Sequence, residues 1–148
     1  MRATFAISSL AEMESFAESL AKKVGKCDVI LLNGPLGAGK TFLAQSLIKA
    51  LGIAEPVTSP TFVIARSYKS EPPLIHMDAY RLLAGANPLF ELEDLDLDAD
   101  QAITVIEWGG ELVEKISNQY LEIHINRDSD IREVSIVGHG PRWQGFSI

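Results

Sequence analysis

The sequence predicts a single α/β domain with a mixed parallel and antiparallel sheet flanked by helices. Three observations predict it. Two short, largely apolar runs, residues 29–32 and 103–106, read as strands covered on both faces. Amphipathic helical patterns flank the first of them. Near the C-terminus, residues 120–126 and 131–137 alternate apolar and polar around the turn Arg127-Asp128-Ser129-Asp130, as an antiparallel pair does.

The elements follow in order. Residues 4–7 form a short strand. Ser9 then opens a helix, and Glu12 gives it capping-box spacing. Leu10, Met13, Phe16, Ala17, Leu20, Ala21 and Val24 recur at helical spacing, and Gly25 stops the run. Residues 28–33 form a buried strand, a glycine-rich loop follows, and residues 41–51 form a second helix that Gly52 closes. Strands are expected over 61–68 and 74–80, separated by the turn residues 69–73. Short helices are expected over 88–92 and 109–116, with the strand 103–107 between them.

Bulk properties bound the function. The 148 residues suit one domain, with 47% apolar and 22% charged residues. No apolar run approaches the ~20 residues of a membrane span, and the N-terminus lacks a basic segment followed by an apolar one, so a cytoplasmic protein is expected. Cys27 is the sole cysteine, which excludes an internal disulfide; it reads as a small core residue beside a strand. A net charge of −7 without a Lys/Arg block argues against direct RNA or DNA binding and suits a basic protein partner.

The chemistry concentrates at Gly34-Pro35-Leu36-Gly37-Ala38-Gly39-Lys40-Thr41, which meets G-x-x-x-x-G-K-[ST] between an apolar strand and a helix. Glycines let the backbone turn tightly and approach phosphate without a Cβ. Backbone N–H groups and the helix N-terminus then face the phosphate oxygens. Lys40 supplies a positive charge to the β- and γ-phosphates, and the Thr41 hydroxyl a ligand for Mg²⁺. The fold is therefore expected to be P-loop NTPase-like. No N-K-x-D guanine reader is present, so ATP is the default nucleotide.

Mg²⁺ in such sites also takes a carboxylate from the end of a buried strand. Glu107 and Asp78 compete, and Glu107 is preferred because its strand reads as more central. His76, Asp78 and Tyr80 share one strand face, where Asp78 could orient or deprotonate an attacking water. Arg81 stands as a phosphate stabiliser or a surface ion pair. Thr58-Ser59-Pro60-Thr61 is a polar turn that could sense a γ-phosphate. The acidic residues 91–100 fail as a calcium loop, because Ala99 and Val105 stand where Gly and Glu are needed, and read as a solvated face. His124 and His139 lack metal-ligand spacing. The six arginines are dispersed, which disfavours a small-molecule kinase, the alternative reading beside a nucleotide-gated interaction module.

The phosphate loop, Thr58-Ser59-Pro60-Thr61-Phe62, His76-Met77-Asp78-Ala79-Tyr80-Arg81 and Ile106-Glu107-Trp108, in this order and spacing, resemble the TsaE (YjeE) family over roughly residues 8–126. The resemblance implies a small bacterial ATPase needed for N6-threonylcarbamoyladenosine in tRNAs that read codons beginning with A. It implies work with TsaD and TsaB, ATP hydrolysis resetting that complex, and tRNA met only through it. It implies catalytic roles for Lys40, Asp78 and a switch-like Thr61, and Mg²⁺ on Thr41 and Glu107. Nucleotide contacts are implied for Gly34, Leu36, Gly37, Ala38, Gly39, Lys40, Thr41, Phe42 and Trp108. Pro35 stands where many members carry an acid, and Phe42 where many carry a second threonine. The Trp143-containing tail matches no motif.

Overall fold

A computed structural model describes residues 2–35, 39–54, 65–78, 101–108, 113–127 and 130–148. Seven strands form one sheet: β1 (Arg2–Ile7), β2 (Val29–Asn33), β3 (Ala65–Tyr68), β4 (Leu74–Asp78), β5 (Ile103–Glu107), β6 (Tyr120–Asn126) and β7 (Arg132–His139). Their order across the sheet is β1-β7-β6-β2-β5-β4-β3. The middle four, β6-β2-β5-β4, run parallel. β3 joins one side antiparallel, and β7 then β1 join the other. The mixed sheet thus carries its antiparallel pairs at the margins, as the alternating C-terminal pattern requires.

Burial explains the two apolar runs. Every residue of β5 is buried, because β2 and β4 flank it and both its faces are covered. β6 instead alternates, with Leu121, Ile123 and Ile125 inward and Glu122 and His124 outward of them. Helices α1 (Leu10–Ala21) and α2 (Lys40–Ala50) bury Met13, Phe16, Ala17 and Leu20 against Leu43, Ala44 and Leu47. Ile30, Leu32, Val105 and the inward side of β6 complete this core. A smaller cluster of Ile48, Ile53, Tyr68, Leu74 and Ile103 continues it towards β3. A short α3 (Val113–Ile116) precedes β6.

Several local expectations change. Ser9 caps α1 as expected, accepting from Glu12 N at 3.1 Å. The Glu12 carboxylate, however, reaches one residue further back, to Ser8 N at 2.8 Å and Ser8 Oγ at 3.0 Å. Cys27 is exposed rather than a core residue. The Asp28 carboxylate accepts from Gly25 N and Asp28 N donates to Gly25 O, a tight turn that puts Cys27 at φ 75° and turns its side chain outward. β7 runs to His139, two residues beyond the expected strand. The tail is structural: a 3₁₀ turn at Pro141–Trp143 buries the Trp143 indole, edge-on to Phe146. Gly138 permits this, since a Cβ there would lie 2.6 Å from Trp143 Cβ. Arg142 then grips Asp28 with Nε and Nη2, both at 3.0 Å, and donates to Lys23 O. The expected helix 88–92, residues 61–64 and 79–80 of the expected strands, residues 109–112 and the acidic stretch 91–100 lie outside the described residues.

Candidate nucleotide site

Because β2, β4 and β5 run parallel, their C-terminal ends meet at one edge of the sheet. The register sets Leu32 beside Glu107 and Glu107 beside Asp78. This is the edge where open parallel sheets present ligand sites. β5 lies between β2 and β4, so Glu107 does end the more central strand.

The glycine-rich loop leaves β2 at this edge. Gly34 has φ 150°, and Gly39, the N-cap of α2, has φ 110° in the left-handed region. A residue with a Cβ would be strained at Gly39. Lys40 follows, with only 5% of its surface exposed. Its ammonium donates to Gly34 O at 2.7 Å and Pro35 O at 2.9 Å, and lies 3.9 Å from the centre of the Trp108 ring. Burial pushes the Lys40 pKa below its ordinary value, with Glu107 and then Asp78 pulling it back up. Trp108 reaches this position through its own backbone. Its φ is 65° and its N–H donates to Leu32 O at 3.1 Å, so the chain folds over the end of β2.

Thr41 and Glu107 meet next to Lys40. Thr41 Oγ1 donates to Glu107 Oε1 at 3.2 Å, across 66 residues of sequence. Glu107 is 3% exposed, and its Oε2 lies 2.6 Å from His76 Nε2. A hydroxyl and a carboxylate oxygen side by side are hard donors of the kind Mg²⁺ takes. Among the described residues no group of three or more His, Cys, Asp or Glu side chains forms a metal cage. Mg²⁺ does not need one, since it keeps waters and shares phosphate oxygens. Thr41 and Glu107 therefore fit this metal.

The other expected residues divide. Asp78 lies at the same edge, half-buried beside Glu107. His76, expected to line the site with Asp78, is instead fully buried behind Glu107. The Phe42 side chain packs against the main core. Leu36, Gly37, Ala38, Thr61, Tyr80 and Arg81 lie outside the described residues.

One residue went unnoticed in the sequence. The Arg132 guanidinium, from the start of β7, lies 3.6 Å from where a Gly39 Cβ would be. It thus packs on the loop from the side of the sheet opposite Glu107. The sequence marks it only as one dispersed arginine after a polar turn, because sheet order, not spacing, brings it there.

The family described as Threonylcarbamoyl adenosine biosynthesis protein TsaE matches residues 7–134. A Streptomyces coelicolor protein named tRNA threonylcarbamoyladenosine biosynthesis protein TsaE is 43% identical over 141 residues, covering 88% of this chain and 93% of its own. A Bacillus subtilis protein of the same name is 36% identical over 138 residues, covering 90% and 84%. The crystal structure of Bacillus subtilis YdiB superposes with a TM-score of 0.80 at 28% identity, covering 98% of this chain and 90% of that one. The family match spans the glycine-rich loop, both candidate carboxylates and the strands that carry them, and the chain belongs to the TsaE family.

Proposed function

We propose that this chain binds ATP with Mg²⁺ and hydrolyses it as the ATPase subunit required for N6-threonylcarbamoyladenosine in tRNA, acting with TsaD and TsaB to reset their complex. The convergence of Lys40, Thr41 and Glu107 at the mouth of the phosphate loop carries this reading. Lys40 is already inside the loop, and exchanges the carbonyls of Gly34 and Pro35 for phosphate oxygens when nucleotide enters. Thr41 and Glu107 would hold the metal. Mg²⁺, when bound, neutralises charge on the β- and γ-phosphates. Asp78, one strand over, orients the attacking water. Thr61 belongs to the switch-like loop that senses the γ-phosphate. Arg132 adds a second cation beside the loop.

The reading keeps tRNA at one remove, in keeping with a net charge of −7. It places the protein in the cytoplasm, where tRNA is modified. A small domain with few catalytic groups should hydrolyse ATP slowly alone and faster with its partners. ATP turnover measured with and without TsaB and TsaD tests this. Stimulation is expected, and equal rates overturn the partner-driven reading. Phosphate appearing on an added small molecule instead of as free phosphate would favour a kinase.

A further inference from the structure

His76 has no task in phosphate binding, yet it holds the deepest polar position in the site. It lies on β4 with none of its surface exposed. Its Nε2 lies 2.6 Å from Glu107 Oε2, while Nδ1 is buried with no hydrogen-bond partner among the described residues. A carboxylate only accepts, so Nε2 donates to Glu107, and Nδ1 meets no partner among the described residues. A buried polar atom without a partner costs stability. An apolar side chain would avoid that cost in a strand whose neighbours Ile75 and Met77 are themselves buried. The imidazole is therefore best explained by what it does to Glu107.

Among the described residues, each of the two Glu107 oxygens has a partner. Oε2 is tied back to His76, and Oε1 is aimed at Thr41 Oγ1, 3.2 Å away. The terminal torsion of a glutamate is broad and soft, so nothing in the side chain itself fixes this orientation. Without the Nε2–H donor, Oε2 becomes an unpaired buried acceptor and the carboxylate turns to find another partner.

We infer that His76 is a positioning residue: its Nε2–H locks the Glu107 carboxylate so that Oε1 faces Thr41, and this sets the affinity for the divalent cation that accompanies nucleotide. The inference rests on the proposed placement of Mg²⁺ on Thr41 and Glu107. Outer partners that orient metal ligands typically change metal affinity by about 10–100-fold when removed.

The test separates cation affinity from nucleotide affinity in the full-length chain. ADP binding is measured by calorimetry in excess EDTA, then across a Mg²⁺ titration, for wild type, His76→Asn, His76→Gln and Glu107→Gln. A glutamine amide nitrogen is as many bonds from the backbone as His76 Nε2 and can reach Glu107, whereas that of asparagine falls one atom short. His76→Asn is expected to need about 10–100-fold more Mg²⁺, to bind ADP in EDTA as wild type does, and to be rescued by the Gln variant. Wild-type Mg²⁺ dependence in His76→Asn, or an equal loss in EDTA, overturns the positioning role. If the Asn variant does not fold, His76→Phe replaces it with the same expected and overturning results. Unchanged Mg²⁺ dependence in Glu107→Gln would instead overturn the metal placement itself. A loss in Glu107→Gln with none in the His76 variants would overturn only the role of His76.

Discussion

Replacing Lys40 with alanine should abolish nucleotide binding while leaving the empty protein nearly as stable. The empty-state effect follows from opposing contributions. The substitution removes two hydrogen bonds from a charged donor, to Gly34 O and Pro35 O, each of about 1.5–3 kcal/mol. It also removes the ring contact with Trp108, of about 0.5–2 kcal/mol. Against these stands the several kcal/mol cost of desolvating the charge of a lysine that is only 5% exposed. Burial outweighs the pull of Glu107 and Asp78 on its pKa, so the cost of holding this charge offsets much of what its contacts contribute. With nucleotide the two proteins part. Ligand at about 100 times Kd stabilises the native state by about 2.7 kcal/mol. For a chain of 148 residues that is a rise in Tm of about 5–10 °C. Thermal unfolding with and without ATP and Mg²⁺ should show this rise in wild type and none in Lys40→Ala. An equal rise in both would refute the assignment of the phosphate loop.

Other perturbations have defined outcomes. Asp28→Ala removes both contacts to Arg142 and the acceptor of Gly25 N, all around a buried carboxylate. Because Arg142 is 41% exposed, the expected loss is at the low end, about 2 kcal/mol, read as a lower urea midpoint at constant m; a shift under about 0.5 kcal/mol would contradict a structural role for the tail. Arg132→Ala should weaken nucleotide binding in EDTA by about tenfold, consistent with loss of one charge-assisted contact, and leave the Mg²⁺ requirement unchanged; unchanged affinity would show that this guanidinium does not meet the ligand. Burial, with Glu114 and Glu122, raises the Tyr120 pKa above 10.0. The folded state then keeps a proton that the unfolded chain loses, so stability falls as pH rises above that value. Urea unfolding at rising alkaline pH should show this fall in wild type and a shallower one in Tyr120→Phe, and equal slopes would contradict it.

What the sequence revealed follows from the range of each interaction. The glycine-rich loop was legible as a motif because its residues lie within eight positions and its neighbours are a continuous apolar strand and a helix. β5 was legible because burial on both faces leaves only Thr104 polar before Glu107. Glu107 could be preferred over Asp78 for the same reason. The partnership of His76 with Glu107 was not legible. It depends on β4 lying beside β5, a fact of sheet order that joins residues 31 apart in sequence. Strand periodicity alone put His76 on the face of Asp78 and could not say that Glu107 would cover it. Arg132 and Arg142 were hidden likewise, the latter meeting Asp28 across 114 residues. Cys27 was misjudged because a place beside an apolar strand says nothing of a left-handed turn that points one side chain outward.

The central claim is that nucleotide held by this loop drives threonylcarbamoyladenosine formation in tRNA. It is tested most directly by analysing tRNA nucleosides in cells depleted of this protein and supplied with wild type or Lys40→Ala. The account predicts that N6-threonylcarbamoyladenosine is lost on depletion, restored by wild type and not restored by Lys40→Ala. An unchanged level on depletion, or full restoration by Lys40→Ala, would contradict it.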